Sequence, residues 1–563
     1  MTLYGHSLLL AAALAGLSIG CQRSPSAPDE AMQGISGERM LAHVRTLASD
    51  EFEGRGPGSA KGDPLTTQYL ENHFRQLGIE PGNPNGTYLQ NVPLVGITAD
   101  PAMQLTFSGR GQTLTAKYQD DFVAGTRRVV DSTSTDAEMV FAGYGVQAPE
   151  FGWDDFKGVD VRGKVIVVLV NDPPAPDAAR ANGLDPATFG GKAMTYYGRW
   201  TYKFEKAAEV GAAGCLIIHQ TEPAGYPWEV VRNSWSGEQF GLSTPDKNMN
   251  RAAMEGWISL ETAQRLFRAA GQNLERLMAQ AATREFRPVP LGMRARVTVR
   301  NTMRMVESNN VIARLPGSDE SLRDSYVAYI AHWDHLGRDP RISGDGIFNG
   351  AVDNASGVAA LLEIARAYKQ LRVPPRRSIL FLAVTAEEQG LLGSQYYAEH
   401  PLYPLARTAA VINMDGMNVL GRTTDIVMIG KGSSTLDEMV EAIAREQGRT
   451  VKPDAEPEKG FFYRSDHFNF AKQGVPAFDP DSGVDYVGRP SGWGMEMRRR
   501  YTEQDYHKPS DQIRPEWDMS GAVQDSQLYF LLGYRIANDA AMPEWKPGNE
   551  FKARRDAMLR SAN

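Results

Sequence analysis

Cysteine is almost absent: the 563 residues include two, Cys21 and Cys215. Cys21 closes an N-terminal apolar segment. Cys215 lies in the apolar run Gly214 to Ile218, where a small buried side chain is its simplest role. A disulfide framework is therefore excluded. Clustered positive charge is also missing. Sixty lysines and arginines stand against 68 aspartates and glutamates, giving a formal net charge of −8 and a pI of about 5.7. No nucleic-acid surface is expected from that balance. The short run Arg498-Arg499-Arg500 reads as a solvated turn. The apolar stretch Leu8 to Ile19 is too short to span a membrane and suits the core of a signal peptide. What is present is ordinary for a globular protein, 42% hydrophobic and 23% charged. The length suffices for about two to four domains.

The informative stretch is Ala331-His332-Trp333-Asp334-His335-Leu336-Gly337, read with Ala351-Val352-Asp353-Asn354-Ala355-Ser356-Gly357. The first closes an apolar run from Tyr326 that reads as a buried strand. His332 and Asp334 are two apart, so an extended backbone points them to one side, and an imidazole backed by a carboxylate suits a metal ligand. Asp353 precedes a helix starting near Ser356. Two more apolar runs end in acids: Ser378 to Thr385 before Glu387-Glu388, and Thr408 to Met414 before Asp415. Adjacent carboxylates after a buried strand need compensation, which a divalent cation supplies. In open α/β sheets ligands bind beyond the carboxyl ends of the strands.

These segments, with Arg464-Ser465-Asp466-His467-Phe468-Asn469-Phe470 and Tyr506-His507-Lys508-Pro509-Ser510-Asp511, resemble metallopeptidase family twenty-eight, the dizinc aminopeptidases of the aminopeptidase Y type. The resemblance covers about Gly37 to Asp539. It implies an α/β fold, a zinc-dependent exopeptidase-like mixed sheet flanked by helices, with an inserted α+β protease-associated domain. It implies two Zn(2+) per chain, with cobalt or manganese as possible substitutes. Asp353 would bridge them, His332 and Asp415 would complete one site, and Glu388 and His507 the other. Glu387 would be the general base and Tyr506 a donor to the oxyanion. A cis peptide bond is implied at Asp353-Asn354. Asp334 and Asp511 are expected behind the ligands, Asp511 as a partner for His507. His467 and Arg464 are expected on the cleft wall as substrate contacts. The implied activity is hydrolysis of the N-terminal peptide bond of peptides. Three rival activities stand beside it. A carboxypeptidase of the same architecture would need arginines for the terminal carboxylate, and Arg464 is one. A glutaminyl-cyclase-like enzyme would use one zinc, which the full bimetallic set disfavours. A non-catalytic binding relative should have lost ligands, and all five are present. Neither side-chain preference nor oligomeric state can be read from the sequence.

The rest of the chain divides accordingly. Residues 1–20 form a signal peptide. Leu17-Ser18-Ile19-Gly20-Cys21 looks like a bacterial lipoprotein box, although Ser18 stands where an aliphatic is usual and Met1 to His6 carries no Lys or Arg. The expectation is export and anchoring in a membrane through lipid on Cys21, at the periplasmic or outer-membrane face, with plain secretion as the alternative. A flexible tether follows at 21–36, then the first part of the catalytic domain at 37–130, the insert at 131–291, the rest of the catalytic domain at 292–543, and a surface tail at 544–563. The insert holds no candidate ligand and is expected to modulate access. Its aromatics, Tyr196 to Tyr202 and Tyr226 to Trp228, fit either its own core or a lid.

Overall fold

The computed structural model describes residues 28–177 and 183–562. The expected signal peptide, Cys21 and residues 21–27 of the expected tether lie outside the described residues.

Two sheets share one strand. In the first, Tyr326–His332 is central and parallel to both Ser378–Val384 and Thr408–Asn413, and Thr408–Asn413 is parallel to Ala477–Asp481. Antiparallel strands extend it at both sides, among them Leu89–Ala99. The central strands carry few polar residues because both faces are covered. Val327, Tyr329 and Ala331 enter a core with Met40, Val44, Leu361, Val440 and Leu528, from the helices Gly37–Leu47, Gly357–Gln370, Leu436–Glu446 and Ser520–Asn538. Ala328 and Ile330 face the opposite way, toward Tyr397 and Phe470.

The shared strand is Val289–Leu315, 27 residues with buried and exposed positions alternating over its first half. Periodicity alone suggests two separate strands there. Residues 294–300 pair with Ser132–Phe141 in the second sheet, 301–311 with Leu89–Ala99, and 311–315 with Ser378–Val384 in the first. The second sheet also takes in Leu105–Gly109, Gln112–Ala116 and Phe122–Gly125. This unit therefore begins before residue 131 and runs past residue 291, because Leu105, Phe107, Phe122 and Val297 supply its core.

Two terminal expectations are corrected. Residues 28–33 of the expected tether form the helix Pro28–Gln33, which buries Ala31 in the core of the first sheet. The expected surface tail is packed down: Trp545 and Phe551 are buried, Trp545 Nε1 donates to Gly474 O, and buried Arg555 donates to Leu405 O and Thr408 O. Its many Lys and Arg residues hide two aromatic anchors.

Candidate metal centre

Three parallel strands deliver the site at one end. His332 is the last residue of the first. After the second, Ala386 takes a left-handed conformation, φ 54°, and turns Glu387 and Glu388 toward the first. Asp415 lies two residues beyond the third. Asp353 comes from the turn before Gly357–Gln370, and its peptide bond to Asn354 is cis, as the resemblance implied. Gly357 allows close approach there: a Cβ would lie 2.2 Å from Asn354 Oδ1 and 2.4 Å from Met414 O. His507 follows the helix Trp493–Gln504.

All five expected ligands converge. His332 Nε2 is 3.1 Å from Asp415 Oδ1 and 3.3 Å from Asp353 Oδ1. The other oxygen of Asp353 is 3.3 Å from His507 Nε2, which is 2.9 Å from Glu388 Oε2. One carboxylate thus joins two clusters. Donors bound to a shared ion at about 2.0–2.2 Å stand roughly 3 Å from one another, and mixed imidazole and carboxylate sets suit zinc. The residues fit a metal on both counts.

His335 stands in the same motif as His332, but sequence spacing gives it no role. Its Nδ1 lies 2.6 Å from Glu388 Oε1, and its donor atom lies within 4.8 Å of those of Asp353 and Glu388. Its Nε2 is buried without a partner. Strand alternation pairs His332 with Asp334 and cannot reach His335, because the strand ends at His332 and the chain turns beyond it.

Asp334 does more than flank His332, whose Nδ1 is 3.7 Å from Asp334 Oδ1. It accepts the backbone N–H groups of Glu387 at 3.1 Å and Glu388 at 3.4 Å, which ties the first strand end to the second. Asp511 corrects its expectation. It accepts the N–H groups of Val352 and Asp353 and the Tyr501 hydroxyl, so it orients the Asp353 loop rather than His507. Ser465 donates to Asp415 Oδ2 at 2.6 Å and itself accepts from Asn413.

Burial pushes the Glu387 carboxyl well above the usual carboxylate range. The charges of Asp415, Glu388 and Asp466 add to that, and His332 opposes it. Burial would lower the two imidazoles. Instead Asp415 and Glu387 hold His332 well above its ordinary value, and Asp353 and Glu388 raise His507 to about 10. Acids and imidazoles that shift one another in this way concentrate at functional sites, and structural ion-pair networks produce the same pattern. Tyr506 stacks on His507 with ring centroids 3.8 Å apart and keeps 44% of its surface exposed, so its hydroxyl can meet a ligand in the cleft.

His467 is not on the cleft wall. It is fully buried, packs edge-on against Phe462 at 4.7 Å, and burial lowers its pKa to about 3. It is the first residue of the short helix His467–Lys472, whose apolar partners pull it inward. Arg464 is exposed and donates to Lys459 O. The insert's aromatics are mainly core and interface. Tyr196 and Tyr202 are buried, and Tyr196 packs across to Phe468 at 4.9 Å.

Arg55, the last residue of the 3-10 helix Asp50–Arg55, carries no signal in the sequence. It is 1% exposed, adopts φ 51°, and donates to the carbonyls of Leu47, Trp333, Asn349 and Gly350 at 2.7–2.8 Å. It thereby staples the His332 strand end to the Asp353 loop. Each buried carbonyl left without a partner costs about 1–3 kcal/mol. Arg55→Met should therefore destabilise the protein by roughly 3 kcal/mol or more, read as a lower urea midpoint at constant slope. An unchanged midpoint would show the staple to be dispensable.

Parts of the chain are similar to known proteins. Residues 310–531 match the model of Peptidase family M28. Aminopeptidase NAALADL1 of Mus musculus is 39% identical over 131 residues, 22% of this chain and 16% of that protein. Probable glutamate carboxypeptidase AMP1 of Arabidopsis thaliana is 25% identical over 465 residues, 75% of this chain and 58% of that one. The chain thus spans less than two thirds of the length of either relative. Among solved structures, the aminopeptidase from Aneurinibacillus sp. strain AM-1 is similar at 20% identity and a TM-score of 0.49, covering 92% of this chain and 97% of its own.

Proposed function

We propose that the chain, whose residues 310–531 match the model of Peptidase family M28, is a zinc-dependent aminopeptidase, releasing the N-terminal residue of peptides at a two-metal centre. The observation that carries this reading is the shared carboxylate of Asp353, with one oxygen toward His332 and the other toward His507. His332 and Asp415 would hold one ion, Glu388 and His507 the other, and Asp353 both. Zinc bound there would acidify a water and polarise the scissile carbonyl, and cobalt or manganese could substitute.

The chain's own groups do the rest. Glu387 follows the second strand beside Glu388 but takes no part in the close contacts that join the ligands. Its raised affinity for a proton suits a general base. It accepts the proton of the attacking water and returns it to the leaving amine nitrogen. Tyr506 remains protonated, because partial burial and the carboxylates of Asp353, Glu388 and Glu387 all disfavour the phenolate. Its hydroxyl donates to the oxyanion as charge develops there. Asp334 holds the backbone of Glu387 and Glu388 so that these neighbours keep separate tasks. Glu387 and Asp415 give the cleft the negative charge that a substrate ammonium requires.

The test is a pair of peptides identical except for N-terminal acetylation, incubated with the zinc-loaded protein and followed by mass spectrometry. The free peptide should lose residues stepwise from its amino end and the acetylated one should stay intact. Trimming of both from the carboxyl end would establish a carboxypeptidase instead.

A further inference from the structure

The neighbouring strands Thr408–Asn413 and Ala477–Asp481 bring two buried polar residues together at one end. The strands run parallel, with Val411 beside Ala477 and Ile412 beside Phe478, so Asn413 falls beside Asp479. Side chains two apart share a face, and Val411 and Ala477 enter the core that holds Phe470. Asn413 and Asp479 therefore meet the helix His467–Lys472 and the turn that carries Ser465. Asn413, Ser465, His467 and Asp479 are all less than one tenth exposed. Apolar side chains would fill such positions at lower cost, so the polar set calls for a role.

These residues form one chain that ends on Asp415. Asn413 Nδ2 donates one hydrogen to Ser465 Oγ at 2.8 Å and the other to Asp479 Oδ1 at 3.0 Å. Ser465 Oγ donates to Asp415 Oδ2 at 2.6 Å. His467 Nδ1 lies 3.4 Å from the same oxygen of Asp479. With two nitrogens at Oδ1, a proton on this carboxyl, whose affinity for one burial raises, belongs on Oδ2. Oδ1 thus stays an acceptor.

That acceptor decides which way the Asn413 amide faces. A carboxamide can present its oxygen or its nitrogen to a neighbour. Turned over, Asn413 would set its oxygen against Asp479 Oδ1 and draw the Ser465 proton away from Asp415. In the orientation observed, Ser465 accepts from Asn413 and keeps its proton for Asp415 Oδ2. The orientation has a cost, because Asn413 Oδ1 is buried with no partner. Engaging Oδ2 leaves Asp415 Oδ1, 3.1 Å from His332 Nε2, for the ion.

We propose that Asp479 is a positioning residue for Asp415. By fixing the Asn413 amide it directs the Ser465 hydroxyl onto one oxygen of Asp415 and leaves the other to the metal. The inference rests on the two-metal reading of the site.

Competition for zinc between the full-length protein and a fluorescent chelator tests this without reading turnover. Partners behind metal ligands are worth about 10- to 100-fold in affinity. Asp479→Leu fills the space and accepts nothing, so it should weaken one of the two ions by about that factor and leave the other nearly unchanged. Asp479→Asn keeps an acceptor oxygen beside Asn413 and should stay close to wild type. Asn413→Leu breaks the chain at its other link with a residue suited to a buried strand. It should weaken the same ion, and it carries the test if Asp479→Leu does not fold. Ser465→Ala combined with either leucine variant should hold zinc no more weakly than Ser465→Ala alone, because all act through one hydrogen bond. Wild-type affinity in the leucine variants, equal weakening of both ions, or losses that multiply in the combined variant would overturn the proposal. A wild-type protein that takes up fewer than two zinc ions would instead overturn the two-metal reading, and this inference with it.

Discussion

Replacing Glu387 by glutamine should lower turnover about 100- to 10,000-fold and leave the metal content of the protein unchanged. Glutamine keeps the size and hydrogen-bonding reach of the side chain but cannot take a proton from water. Glu387 lies outside the chain of close contacts that runs Asp415, His332, Asp353, His507, Glu388. Its carboxyl is held above the usual range by burial and by three neighbouring acids, as a base poised for proton transfer requires. Glu388→Gln should behave differently. That side chain is 2% exposed and sits between His507 and His335, at 2.9 Å and 2.6 Å. Its loss should weaken one ion first, and added zinc should restore part of the activity. Metal content measured beside turnover for both variants separates the roles. If Glu387→Gln sheds metal while Glu388→Gln keeps both ions and only turnover collapses, the assignments are reversed.

The central strands and the charged groups at their ends were legible in the sequence for one physical reason, whereas Asp353 and His507 were implied by the family resemblance. A parallel strand covered on both faces must be apolar throughout, so each charged residue at its end stands out. His332, Glu387, Glu388 and Asp415 all follow such runs. What was not legible depends on contacts between distant segments. Arg55 is one arginine in a polar stretch until folding surrounds it with four carbonyls from residues on both sides of it in sequence. Asp511 pairs by spacing with the histidine four residues before it, whereas its hydrogen bonds go to a loop more than 150 residues earlier. His467 shares a motif with Ser465, yet two residues along the turn one reaches Asp415 and the other is fully buried between Phe462 and Asp479. The insert's limits are hidden because its first strands are short and its last one continues without a break into the first sheet. The packing of the C-terminal segment rests on Trp545 and Phe551, two residues in a stretch otherwise rich in charge.

Replacing Asp353 by alanine should remove both metal ions and with them all activity. The two oxygens of this carboxylate serve different imidazoles, each at 3.3 Å, so no other single side chain in the cluster belongs to both halves. Two backbone N–H groups given to Asp511 hold the loop in place without the side chain, and Asn354 ties it to Met414 O. The fold should therefore survive the substitution, which can be checked by comparing the unfolding transition of the variant with that of the metal-stripped wild type. The same logic predicts that His332→Ala or His507→Ala removes one ion before the other, since each touches only one half of the site.

The most direct measurement is elemental analysis of metal bound per chain after zinc saturation and removal of free zinc, for the wild-type protein and Asp353→Ala side by side. Two ions are expected in the wild type and none in the variant. One ion in the fully active wild type, or one ion retained by Asp353→Ala, would contradict a centre built around a shared carboxylate.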